Sequence, residues 1–178
     1  QIAQMSSAQI DAIETRDMVI LSSAQIGAFD ASEFKDGIYD KLSLISASQV
    51  KGLTTDQLSA FTTAHVAYLD TKDIAALTTA QVVALSATQV SNMLTTQLVS
   101  LSATQIKAME TRDIAVLDTF QITNLTTSQI ASMTTGQIKG MNTAQFANLS
   151  TAQLASMTIA QVAAIELVDL QAITTVQL

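Results

Sequence analysis

Few side chains in this sequence could do chemistry, and their spacing limits what that chemistry could be. His65 is the only histidine and there is no cysteine. Disulfides, thiolate metal sites and cysteine nucleophiles are therefore excluded, and a lone imidazole cannot build a common zinc site. Serine and threonine are abundant, but only His65 could serve as a conventional base beside them, so no nucleophile–base–orienter set can be assembled. The five glycines form no phosphate-binding loop. One cluster has ligand chemistry. Asp30, Glu33, Asp36 and Asp40 flank Gly37, and hard carboxylate oxygens around a glycine can hold calcium. Their spacing matches neither the EF-hand loop nor the Gly-Gly-x-Gly-x-Asp calcium repeat. A solvated acidic turn is the plainer expectation there. These residues predict no enzyme, no cofactor and no small-molecule substrate.

The positions of the polar residues have a different source. From Met5 onward the chain repeats every eight residues without insertion or deletion. Leu77-Thr78-Thr79-Ala80-Gln81-Val82-Val83-Ala84 is one octad, and Leu125-Thr126-Thr127-Ser128-Gln129-Ile130-Ala131-Ser132 is another. Of the 22 octads starting between residues 5 and 173, the first place is apolar in 21, with Gly37 the exception, and the sixth is apolar in all 22. The second place is Ser, Thr, Asp or Asn in 17; the fifth is Gln in 15 and Asp in four more.

Ser or Thr followed three residues later by Gln is a capping box: the hydroxyl accepts from the later backbone N–H, and the Gln reaches back to the cap residue's own N–H. Apolar residues just before the cap and four after it form a hydrophobic staple. Each octad is thus predicted to start a short helix of about two turns at most. A continuous helix fails because eight residues advance about 800°, so an apolar stripe would drift roughly 80° per octad. A strand fails because the first and sixth places are an odd number apart and would face opposite sides. Helices this short cannot stand alone, since nucleation is too costly. They must stack, burying two apolar side chains per octad, worth roughly 3–6 kcal/mol of transfer free energy before entropy. Small residues at the eighth place would let neighbours approach. The predicted fold is all-α: an elongated solenoid of very short capped helices, one per octad, with two to four octads per turn, forming a single array over residues 1–178. Octads 29–44 are irregular, with a loop, kink or bulge expected near Gly37. His65, in a fifth place, is expected to take over the capping role of Gln.

The net charge of −7 follows the same pattern. Eleven of the 15 acids sit in the second or fifth place, in the first helical turn, where the macrodipole favours negative charge. In three octads (Glu14-Thr15-Arg16-Asp17, Asp70-Thr71-Lys72-Asp73 and Glu110-Thr111-Arg112-Asp113) acid, base and Asp occur together, either as local charge compensation or as a contact between repeats. No run of 18 apolar residues exists, so no membrane span is expected. An acidic surface opposes phosphate contacts, so no nucleic-acid partner is expected. Solenoids need polar end repeats; none is visible, which predicts a segment of a longer array or self-association of the ends.

The octad Leu77–Ala84 resembles the first helix of the DNA-binding repeats of plant-pathogen TAL effectors, but over eight residues only and without their base-reading loop. Across essentially the whole chain, the tandem Leu-Thr-Thr-Ala-Gln-Ile/Val octads resemble the repeat regions of large bacterial surface or adhesin-like proteins, some labelled haem-utilisation or adhesion proteins. That resemblance implies a structural repeat protein at an extracellular or cell-surface location: a stalk, a spacer or a filament-forming subunit. The alternative is a solenoid module presenting one face to a peptide or glycan. Ice binding by threonine ladders, suggested by Thr at the third place of 13 octads, is a further option that helix capping explains more simply.

Overall fold

In a computed structural model, residues 2–32 and 39–177 are described, and among them the secondary structure is helical with no strands. The chain forms two compact units, Gln1–Met93 and Leu94–Leu178, while the octad register continues through the boundary between them.

Each regular octad divides in the same way. In the octad beginning at Leu125, the first place is extended (φ −60°, ψ 141°), the N-cap Thr126 is extended (φ −69°, ψ 157°), and Thr127–Ser132 is helix. Two extended residues and a helix of up to six make the unit. The helix stops without proline and without a left-handed glycine. The next first-place residue leaves the helical basin, and its N–H still closes the last turn: Met133 N donates to Ile130 O at 3.2 Å. The next cap follows at once.

Helices pack on helices three octads away. Within the second unit, Thr111–Ala115 lies on Thr135–Gly140, Ala103–Ala108 on Thr127–Ser132 and Thr119–Asn124 on Thr143–Asn148; within the first, Ala47–Val50 lies on Thr71–Ala76. The first and sixth places fill the core as the staple pattern predicts. Leu98, Ile106, Ile130 and Ile138 are fully buried, and the first-place Leu101, Met109 and Met133 nearly so. Methionine here is a space-filler.

The eighth place allows the close approach. A Cβ added to Gly52 would overlap the backbone of Ser23, and one on Gly140 would overlap the side chain of Thr111. In both cases an eighth place lies on the third place 29 residues earlier. The irregular stretch keeps a turn at Asp30, whose Oδ1 accepts from Ser32 N at 2.8 Å and Ser32 Oγ at 2.6 Å. Helix Tyr39–Leu42 follows. The kink expected at Gly37 lies outside the described residues.

Candidate functional site

The recurring polar feature is the fifth-place side chain, and from Gln49 to Asp169 it is buried. Gln129 shows its geometry. Its Oε1 accepts from Thr126 N at 2.9 Å, and its own N–H donates to Thr126 Oγ1 at 3.1 Å. This is the expected capping box. Its Nε2 then donates to Leu98 O at 2.9 Å and to Leu101 O at 2.8 Å. Those carbonyls lie 31 and 28 residues earlier, on the preceding turn of the array.

The same pair of bonds is made by Gln137 to Ile106 and Met109, by Gln145 to Ile114 and Leu117, and by Gln161 to Ile130 and Met133. In the first unit, Gln49 donates to Met18 and Leu21, and Gln81 to Val50 and Leu53. Offsets of 28 and 31 place about three and a half octads in each turn, within the expected range of two to four.

A helix end leaves N–H groups unsatisfied at its start and carbonyls unsatisfied at its finish. One carboxamide satisfies both, because it carries an acceptor oxygen and two N–H donors. Oxygen serves the start of its own helix; nitrogen serves the finish of a helix one turn below. Buried at 1–5% exposure, the glutamines are hydrogen-bonded at both ends, as burial of an amide requires. Where the cap hydroxyl is missing, the return bond survives: Leu94 N still donates to Gln97 Oε1 at 2.9 Å.

Fifth places without glutamine keep part of this function. Thr62 N donates to His65 Nδ1 at 3.0 Å, and His65 N to Thr62 Oγ1 at 3.3 Å, so His65 does take the capping role. Lys41 Nζ donates to Ile10 O at 2.6 Å, 31 residues back, making the inter-turn bond that glutamine would make. Asp73 accepts from Asp70 N at 3.3 Å and Asp113 from Glu110 N at 3.0 Å. An ionised aspartate has no proton to give, so it caps without clamping. Burial pushes the Asp73 carboxyl up to about 6, with the neighbouring Asp70 charge adding to it. Burial also raises Asp113, whose Oδ1 has no hydrogen-bond partner and lies 3.7 Å from Arg112 Nε. At Asp169 the earlier turn supplies the donor instead: Thr143 Oγ1 reaches Oδ1 at 2.7 Å. By the same offset of 26 residues, the position facing Asp73 is Ala47, which has no hydroxyl.

The charged octads keep their ion pairs to themselves. Arg112 pairs with Glu110 at 2.7 Å and Arg16 with Glu14 at 2.8 Å, both exposed. The ion pairs of Arg16 and Arg112 lie within one octad, which is local charge compensation worth at most about 1 kcal/mol each.

Of the calcium candidates, Asp30 is exposed and turned onto Ser32, whose hydrogen bonds hold its carboxyl below the usual range. Glu33 and Asp36 lie outside the described residues, as does the Asp40 side chain. Among the described residues no three His, Cys, Asp or Glu side chains gather as a metal group, and no helix is long and apolar enough to cross a membrane.

Capped short helices stacked turn on turn and clamped by buried glutamines define a helical solenoid repeat protein. A family model for the ALTTAQ repeat matches residues 66–103, 106–141 and 135–166, more than half of the chain. The chain belongs to the ALTTAQ repeat family. No curated protein matches it.

Proposed function

We propose that this chain is a structural array, a stalk, spacer or filament-forming subunit working at a bacterial surface. The observation that supports this is the commitment of its recurring polar groups. The glutamines and capping hydroxyls that dominate the sequence are consumed in holding helix to helix and turn to turn, and Arg16 and Arg112 pair with acids of their own octads. What the octad repeats is a mechanical connection.

Small-angle scattering and negative-stain electron microscopy test the array. An end-to-end distance well beyond that of a globule of this chain length is expected, and a compact particle would sink the proposal. Surface location is tested separately, by cleavage of the protein on intact cells with an external protease; complete protection would remove that part.

A further inference from the structure

The eighth place, usually small, carries asparagine at Asn92, Asn124 and Asn148. Ser or Thr fills most second places, so an asparagine there stands two residues before a hydroxyl. Asn124-Leu125-Thr126 and Asn148-Leu149-Ser150 are the result. Asn-x-Ser/Thr, with no proline between, is the acceptor sequence for N-linked sugars. Asn92 has the same place, but Leu94 stands where the hydroxyl would be, and Asn142 is followed by Thr143-Ala144. The chain therefore holds two acceptor sequences, and in Asn92 a third asparagine in the same register that lacks only the hydroxyl.

Both acceptor asparagines are exposed. Asn124 Nδ2 donates to Phe120 O and Asn148 Nδ2 to Ala144 O, each at 2.8 Å and one turn back on its own helix. That bond uses one of the two amide hydrogens, so a sugar can replace the other and leave the helix contact in place. Helix Thr119–Asn124 lies on helix Thr143–Asn148, so the two sites end neighbouring helices. Phe120 is a separate observation. It is 67% exposed, the most exposed aromatic side chain among the described residues. Other fourth places are mostly small or polar, and the octad pattern gives no reason for a ring there. Phe120 lies four residues before Asn124, on the same helix face, where the apolar side of a sugar on Asn124 would cover it.

We propose that Asn124 and Asn148 are N-glycosylated. Nδ2 attacks the anomeric carbon of a sugar esterified to a diphosphate. The bond from Nδ2 to that carbon forms, and the bond from the carbon to the diphosphate oxygen breaks. The diphosphate leaves with the electron pair, and the amide proton passes to a base of the transferase. The acceptor is the chain before these octads close. In the folded array Leu125 and Leu149 are buried, and the acceptor hydroxyls are engaged in caps. Thr126 Oγ1 accepts from Gln129 N and Ser150 Oγ from Gln153 N, both at 3.1 Å. Once folded, the array carries its sugars outside the core and leaves the glutamine clamps untouched. The inference goes beyond the structural array proposed above and holds whatever the shape of that array.

Trypsin cleavage after Lys72, Lys107, Arg112 and Lys139 puts Asn92, Asn124 and Asn148 on three different peptides. In protein isolated from the cells that make it, mass spectrometry should find the peptides of Asn124 and Asn148 heavier by a sugar or an oligosaccharide. Fragmentation should place it on those asparagines, and peptide 73–107, with Asn92, should keep its unmodified mass. A single sugar marks a nucleotide-linked donor and a preassembled oligosaccharide a lipid-linked one; either bears the inference out. Thr126→Asp separates modification from folding. Asp118 caps its helix by accepting from Gln121 N at 2.7 Å, so this variant should keep the circular dichroism of the parent and lose the sugar at Asn124 alone. Leu94→Thr should do the reverse, adding a cap hydroxyl and turning Asn92 into a third modified site. Unmodified Asn124 and Asn148 in the native protein would overturn the inference. So would sugars placed on serine or threonine instead, or a sugar on Asn124 that survives Thr126→Asp.

Discussion

At the scale of the residue, glutamine is set apart from its near neighbours by carrying acceptor and donor on one planar group. Gln129→Glu keeps the shape and the oxygen that accepts from Thr126 N, but turns a second oxygen toward Leu98 O and Leu101 O. Urea unfolding should show a loss of about 3 kcal/mol at neutral pH, from two buried carbonyls left unmatched. Part of this should return near pH 4, where the carboxyl is protonated and can donate. Thr126→Ala removes one cap acceptor and should cost only about 1 kcal/mol. If the threonine change proves the costlier, the clamp is not the stronger half of the box. Asp73 makes the converse case. Its folded carboxyl titrates at about 6, above the ordinary 3.8. The folded state therefore binds the proton more tightly than the unfolded state. Stability from this group is present below the unfolded value and is lost as pH rises through about 6. The melting temperature should fall between pH 4 and pH 6.5, and Asp73→Gln should flatten that fall. At pH 7 the same change should add about 1–2 kcal/mol, by restoring donors toward the carbonyls one turn back. An unchanged pH profile in Asp73→Gln would remove Asp73 as its source.

At the scale of the element, each helix is a local event and each turn is not. The cap Thr126, its partner Gln129 and the staple pair Leu125 and Ile130 all lie within six residues of one another, so their pattern alone predicts where the helix begins. The clamp from Gln129 to Leu98 and Leu101 was not legible. Every octad carries the same residue types, so nothing in the period distinguishes a partner three octads away from one two or four away. The role of Lys41 was hidden for the same reason: it looks like a lost cap until Ile10, 31 residues earlier, is seen beside it. Residue size predicts close approach at the eighth place, but not which third place it meets. Gly52→Ala should therefore destabilise by about 1–3 kcal/mol in thermal unfolding, because the backbone of Ser23 cannot move aside as a side chain can. Gly136→Ala meets only ordinary contacts with Thr134 and Thr111 and should be nearly neutral.

At the scale of the whole molecule, the unit of exchange is the octad. Excising residues 125–132 removes one complete copy and leaves every later octad in phase, so mean residue helicity should hold. Excising residues 125–128 instead puts the first and sixth places out of step with everything after them, and helicity should drop sharply. Equal losses in the two deletions would mean that the eight-residue phase does not govern the packing.

The pair of offsets, 28 and 31, also fixes how the chain would answer a pull on its ends. Each glutamine fastens a loop of 28 residues, and such a loop drawn straight has a contour of about 95 Å. Successive loops start eight residues apart and overlap, so under load the array should pay out one octad at a time, in near-equal increments of up to about 27 Å. Each release would expose the next fastening, in the manner of a serial shock absorber rather than a rigid strut.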